Sequence, residues 1–447
     1  MAESALKISR ILHAGYVFEH EGVQVAFDTI FENPFSRNCY AFPSVQFDRE
    51  AIRNLNFSAV FISHFHDDHF SLESLDLLNR QTPIYMFCVY EELVDFIRKM
   101  GFVHVRTLKL NEPITIGSIE VIPRRALDED VDCLFQVKAA GLNILNVVDS
   151  WVDYDTLDLL VHQKPWDMVL WPFQTMRELE VIAPDRAEKA PTHLPPEWIE
   201  QLQHLKPKVI VPSSCQFSME SWSWYNYAFF PVTYRQFTEE VSRALPQAQI
   251  LRLNPGCSVQ LVEGVVKNTV PLSWVIPVGD QNVDYEYLPE QMPPTTAEIA
   301  KKFPKLTTEQ RQRTVRFCQH EIIERFKELE ASPDIYFEKV RLWHLKTYDD
   351  AGMEATYGYL VEQNHLISTD PSKEQADWTT EVPLAKLYAA LELGESLTSM
   401  YVRINGSQFE EIVDDPLIRC LFNGSIGSYQ KAQLLELRFP GRMGISV

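Results

Sequence analysis

The chain has 447 residues, long enough for two domains of ordinary size, each with its own core. Its 41 Lys and Arg stand against 62 Asp and Glu, a formal charge of −21 that gives no general attraction for a phosphate backbone and argues against a nucleic-acid partner. Seven widely spaced cysteines read as reduced thiols, the start MAESALKISR has no apolar signal core, and no long uncharged apolar stretch occurs, so the expectation is a cytoplasmic protein with no membrane partner.

Taken in chain order, Phe57 to Ser63 (FSAVFIS) is a short β-branched apolar run that predicts a buried strand. Ser71 to Arg80 (SLESLDLLNR) has an N-cap serine and leucines at 72, 75 and 78, which predicts a helix. Between them lies Ser63-His64-Phe65-His66-Asp67-Asp68-His69, which gathers three of the chain's 12 histidines. In a strand-to-helix loop His64 and His66, two apart, point to one side while Asp68 and His69 take other directions. The pattern suits one or two divalent metal ions, one held by His64 and His66 and the other by Asp68 and His69. Imidazole with carboxylate suits zinc, iron or manganese, and no cysteine pattern accompanies it. Asp68 is also the candidate catalytic proton acceptor if the second position is empty.

Helical patterns at 90 to 100 and 196 to 205 alternate with further strands at Asn143 to Val148, Met168 to Phe173 and Val209 to Pro212. Such strands aim residues at their ends toward one edge of a scaffold, which predicts an α/β architecture of sheets flanked by helices. Arg124 and Arg125 are suited to a substrate carboxylate or phosphate, or else are exposed residues at a strand end. Phe217 to Tyr234 carries Trp222, Trp224 and Tyr225, which read either as an aromatic substrate wall over the metals or as packing between domains. Glu220 reads as a late metal ligand or a solvated acid, and Cys215 as a small buried hydrophobe near the metal face.

A boundary is expected between residues 270 and 306, where Asp284 to Pro294 (DYEYLPEQMPP) has linker composition. The predicted organisation is a catalytic domain at 1–270, a linker at 271–306 and an α+β accessory domain at 307–447. Thr307 with Gln310 forms a capping-box start for a helix to about Ala331. Strands at Val340 to Lys346 and Ala355 to Val361, a helix at Leu384 to Leu393 and a strand at Ser399 to Ile404 follow.

The motif His64-x-His66-x-Asp68-His69 resembles the signature of the metallo-β-lactamase fold, an αββα sandwich. Ile11 to Glu19 followed by Val23 to Asp28 resembles the opening hairpin of the branch containing ascorbate-phosphate lactonase. Asn143 to Asp149 resembles the family's strand that ends in a metal-bridging aspartate, and Ile144 to Asp149 with Asn254-Pro255-Gly256 resembles the metallo-β-lactamase-like part of CMP-N-acetylneuraminate hydroxylase. The resemblance spans about residues 7 to 265. It implies that Asp149 bridges two metals, and that two further histidines should appear where this chain has none. The first place falls near Arg124 to Asp128, where Asp128 is the substitute ligand or else a solvated acid in an acidic run. The second falls near Val211 to Cys215. Glu381 to Asn405 resembles sterol-carrier-protein domains, which accompany this fold in some alkylsulfatases.

The leading expectation is a metal-dependent hydrolase acting on a small, anionic or neutral substrate through a metal-activated water. The alternatives are a non-haem mono- or di-iron oxygenase on the same residues, suggested by the lost histidines, and a metal-free binding or scaffold protein. Homo-oligomerisation stays open.

Overall fold

The computed structural model describes residues 5–191, 193–262, 264–423 and 426–440. The outermost residues of the two predicted domains therefore lie outside the described residues. The chain divides into two compact units, one of Met1–Met176, Pro191–Asn226 and Phe230–Tyr287, the other of Arg177–Ala190, Tyr227–Phe229 and Leu288–Val447.

In the first unit an eight-stranded sheet runs, in spatial order, Val265–Thr269, Ser258–Val262, Leu6–Arg10, Tyr16–His20, Val23–Phe27, Ala59–Ile62, Ile84–Met86 and Val105–Thr107. A seven-stranded sheet runs Gln249–Ile250, Val209–Pro212, Met168–Trp171, Leu142–Asn146, Cys133–Ala139, Ile119–Arg125 and Ile114–Ile116. Alternation decides how they meet. Leu6 and Ile8, Val25 and Phe27, and Ala59 and Phe61 share one buried cluster with Val121, Phe135, Val137, Ile144, Leu170 and Val211 of the second sheet. Phe27 lies 5.4 Å from Phe61 in its own sheet and 5.0 Å from Phe135 across the interface. Val60 and Ile62, which point the other way, are buried as well, as expected of a strand covered on both faces. The helix Glu91–Lys99 buries Leu93, Val94, Phe96 and Ile97 and packs beside Val105–Thr107. The unit is the αββα sandwich that the resemblance implied.

Val23–Phe27 pairs in parallel with Ala59–Ile62, and Leu142–Asn146, Met168–Trp171 and Val209–Pro212 are mutually parallel. Their C-terminal ends, with the start of the antiparallel Cys133–Ala139, deliver Asp28, Ser63–His69, Asp149, Ser213–Cys215 and Asp132 to the functional site. The helix predicted over Ser71–Arg80 is shorter than its leucine spacing suggests, covering Leu72–Asp76. The Arg80 guanidinium takes the carbonyls of Leu75, Asp76 and Leu78, and so closes the turn.

The second unit contains a sheet ordered His365–Thr369, Glu354–Glu362, Arg341–Tyr348, Trp378–Pro383 and Arg403–Asn405. The capping box at Thr307 and Gln310 forms, and its helix Thr308–Arg316 continues through a π-turn at Phe317–Glu321 to Ile322–Glu328. Inside the predicted linker, Thr295 and Glu298 make a second capping box for Thr296–Ala300. The strand expected over Ser399–Ile404 is confined to Arg403–Asn405, because Tyr401 takes a left-handed φ of 55°. Among the described residues no helix is long and apolar enough to cross a membrane.

Asp415 holds this unit's core together. Its fully buried carboxylate accepts from the backbone N–H groups of Leu417 and Ile418 at the start of Pro416–Phe422, and from Trp378 Nε1 and Thr380 Oγ1 in the sheet. Asp415→Ala leaves four donors without their acceptor. It is expected to cost about 3 kcal/mol in urea unfolding followed by tryptophan fluorescence, against about 0.5 kcal/mol for an exposed acid such as Glu309→Ala.

Candidate metal centre

The His64 to His69 loop begins where Ala59–Ile62 ends, beside Asp28 at the end of the neighbouring strand. Asp28 is fully buried; its Oδ1 accepts from Ser63 N at 2.8 Å and its Oδ2 from Ser63 Oγ at 2.8 Å. With its own proton given to Asp28, the Ser63 hydroxyl can only accept from His64 Nδ1, 2.9 Å away. Asp28 Oδ2 also accepts from His69 Nδ1 at 3.0 Å. Both imidazoles therefore carry a proton on Nδ1 and turn Nε2 toward the site, the orientation that a metal ligand requires.

Two convergent sets result. His64 Nε2 lies 3.0 Å from His66 Nδ1 and 3.7 Å from Asp132 Oδ1. His69 Nε2 lies 2.9 Å from Asp149 Oδ2 and 3.7 Å from Asp68 Oδ2, and His13 Nε2 reaches within 3.1 Å of Asp68 Oδ2 and 3.0 Å of His69 Nε2. Donor atoms of His64, His66 and Asp132, and of His13, Asp68, His69 and Asp149, come within 4.8 Å of one another in each set. Asp149 faces both, with Oδ1 3.9 Å from His64 Nε2 and Oδ2 on His69.

The electrostatics fit a cation. The Oδ1 atoms of Asp132 and Asp149 are buried with no hydrogen-bond partner. Burial and the facing Asp149 carboxylate push Asp132 up to about 6. Against the cost of burial, the Asp149 and Asp68 carboxylates hold His69 well above the usual imidazole range, while burial and neighbouring His69 hold His64 well below it. Despite burial, His69 in turn holds Asp68 and Asp149 below the usual carboxylate range. A pocket with this surplus of acceptors draws positive charge, and its oxygen and nitrogen donors suit a borderline or hard divalent ion.

Among the predicted site residues, the structure gathers His64, His66, Asp68, His69 and Asp149. It does not gather Asp128, which is exposed; its carbonyl accepts from Val131 N and Asp132 N in a turn that brings Asp132 inward instead. The acidic run marked the right loop, but nothing in its composition told which acid faces the histidines. His13 carried no role in the sequence reading. Its signal is His13-Ala14-Gly15 between two strands, where a Cβ on Gly15 would come within 2.7 Å of the Asp28 carbonyl. Cys215 N donates to His13 Nδ1 at 3.1 Å, which leaves the proton of the neutral His13 ring on Nε2. His13 thus meets Asp68 as a hydrogen-bond donor, and would become a nitrogen ligand only on losing that proton.

The predicted substrate residues fall elsewhere. Arg124 is buried and bonded to Gln136 and Asn111, and Arg125 is taken up by Asp153, Asp155 and Glu129. Neither arginine fork is directed at the two sets through these bonds. Trp224 and Tyr225 are buried against each other, 5.4 Å between ring centroids. Trp222 lines a cleft of about 530 Å³ with Tyr40, Phe42, Ser218 and Glu220. Glu220 belongs to neither set and accepts from Asn38 Nδ2 at 3.3 Å.

No protein-family model matches the chain, and no curated protein does. Solved structures to which it is similar include Igni18, a metallo hydrolase from the hyperthermophilic archaeon Ignicoccus hospitalis, at 19% identity and TM-score 0.41, covering 58% of this chain and 99% of that one. CmlA, a diiron β-hydroxylase from Streptomyces venezuelae, is similar at 15% identity and TM-score 0.41, over 58% of this chain and 54% of that one. YhfI, a metallo-β-lactamase fold protein from Bacillus subtilis, is similar at 10% identity and TM-score 0.39, over 57% of this chain and 98% of that one.

Asp28→Asn is expected to weaken metal uptake by about tenfold to a hundredfold, because an amide at the Oδ2 position no longer fixes the protons of Ser63 and His69. Zinc titration against a chelating indicator measures this. In the same assay Asp132→Ala is expected to remove one equivalent, while Asp128→Ala leaves uptake unchanged.

Proposed function

We propose that the chain is a metal-dependent hydrolase, and the observation that carries this reading is the pair of donor sets facing the two oxygens of Asp149. His64, His66 and Asp132 would hold one divalent ion; Asp68, His69 and Asp149 would hold the second. Bound there, such ions supply a water acidified toward neutrality and polarise the ester, amide, lactone or phosphoester to be cleaved. The chain's own residues do the rest. Asp28 and Ser63 keep the imidazoles in register, His13 steadies Asp68, and Asp68, kept ionised by His69, accepts a proton where the second position is empty. The substrate is a small molecule, for which the cleft beside Trp222 is the candidate seat.

One observation favours a second reading. Asp132 supplies a carboxylate beside His64 and His66, and two histidines with one carboxylate is the ligand set of non-haem iron oxygenases. The finer resemblances, to the lactonase branch and of the C-terminal part to sterol-carrier-protein domains, belong to the same proposal, with residues 307–447 as an accessory domain.

Elemental analysis of untagged protein purified without added metal separates the readings. Zinc or manganese, with turnover of an ester or phosphoester panel under anaerobic conditions, is the expected result. About two equivalents of iron, with turnover that requires dioxygen and a reductant, would sink the hydrolase. Metal uptake is also expected to weaken as pH falls, because the proton that the carboxylates hold on His69 must leave for Nε2 to bind. A pH-independent affinity would remove His69 from the ligand set.

A further inference from the structure

We infer that Arg10 is a positioning residue that sets the second half of the metal site by clamping the two turns that carry His13 and Cys215. Arg10 is fully buried, an expensive place for a guanidinium, and its hydrogen-bond partners among the described residues are all carbonyl oxygens. Nε donates to His13 O at 3.1 Å and Nη2 to the same oxygen at 2.5 Å, a two-pronged hold on the residue that meets Asp68. Nη2 also donates to Ser213 O, and Nη1 to Pro212 O at 3.2 Å and Leu253 O at 3.1 Å. The face of Tyr16 lies 5.6 Å from the guanidinium carbon, and Tyr16 Oη bonds Ser213 Oγ at 2.8 Å, closing the ring of contacts.

Both clamped turns hold a strained backbone. His13 and Cys215 are both non-glycine residues in the left-handed region, at φ 46° and 57°. A residue with a side chain is strained there and persists only where its surroundings determine it. They face each other through the Cys215 N–H to His13 Nδ1 bond, the contact that puts the His13 ring proton on the atom facing Asp68. Lysine cannot replace this clamp, since an ammonium lacks the planar fork that reaches the His13 and Ser213 carbonyls together. Arg10 touches no member of the His64, His66 and Asp132 set through these bonds. The effect of replacing it is therefore confined to the Asp68, His69 and Asp149 set.

This inference rests on the proposed metal site, and its test separates the two. Zinc titrations of the full chain, with Asp132→Ala marking the first equivalent, compare wild type, Arg10→Lys, Arg10→Gln and His13→Ala. The expected result is that Arg10→Lys and Arg10→Gln keep the first equivalent at wild-type affinity and weaken the second by about tenfold or more. The double variant Arg10→Lys/His13→Ala is expected to lose little beyond His13→Ala alone, because both substitutions act through one contact. If neither arginine variant folds, Tyr16→Phe, which frees Ser213 while leaving Arg10, is expected to weaken the second equivalent by about threefold, and an unchanged second equivalent overturns the inference. Two wild-type equivalents left intact in Arg10→Lys overturn the positioning role alone, as does equal weakening of both equivalents. Wild-type protein that takes up no zinc overturns the metal reading together with this one.

Discussion

The site depends on one buried carboxylate that itself belongs to neither donor set. Asp28 accepts hydrogen bonds from Ser63 N, Ser63 Oγ and His69 Nδ1, and through Ser63 it also decides the tautomer of His64. A single acceptor thereby fixes the Nδ1 proton of both imidazoles and turns Nε2 of each toward the site. A buried anion that gives up solvation needs several strong donors to recover the loss, and here the donors are the groups whose orientation the site requires. The parallel pairing of Val23–Phe27 with Ala59–Ile62 makes this possible, because its register, Phe27 against Phe61, brings Asp28 to the start of the histidine loop. The cluster of phenylalanines beneath, Phe27, Phe61 and Phe135, fixes how far those strand ends can move. Packing, register and ligand chemistry are thus one constraint seen at three scales.

The second consequence is electrostatic. His69 lies among Asp28, Asp68 and Asp149, and against the cost of burial these acids hold a proton on it. Facing acids without a counterion are a cost to the folded state, so a cation that enters relieves that cost as well as forming bonds. The same reasoning separates His13 from His69. Cys215 N–H, a fixed donor, occupies the His13 nitrogen that would otherwise carry the proton, whereas Asp28, a fixed acceptor, occupies the equivalent nitrogen of His69. Two histidines 3.0 Å apart are given opposite roles by the polarity of the group behind each.

How much of this was legible in the sequence follows from how local each signal is. His64, His66, Asp68 and His69 sit within one loop, and the strand before them is a continuous β-branched run, so motif and placement could be read together. Asp149 was legible through the family resemblance of the strand before it. Asp132 was not, because the choice between Asp128 and Asp132 is made by a turn whose backbone bonds run from Val131 and Asp132 to the Asp128 carbonyl. His13 and Arg10 were not, because their partners lie some 200 residues away in the Pro212 to Cys215 turn, as the separations of 202 and 203 residues in their contacts show. Arg124 and Arg125 misled for the complementary reason: the sequence gives their forks but not the Gln136, Asn111 and Asp153 that satisfy them. In the second unit the capping box at Thr307 was visible, while the short strand Arg403–Asn405 was hidden by the left-handed turn at Tyr401.

Asp132 is where the two chemistries part. Three carboxylates, Asp68, Asp132 and Asp149, face the two positions, and against two divalent ions they leave a single net positive charge. A histidine in place of Asp132 would leave two. With ions bound there, each added negative ligand would lower their pull on a bound water, so this set would acidify water less than a histidine-rich one. The same negative charge stabilises an ion that must give up electrons. On the proposed reading, hydrolysis and oxygen chemistry would therefore respond to this position in opposite directions: Asp132→His would strengthen the first and weaken the second, with the scaffold, the Asp28 network and every other ligand unchanged.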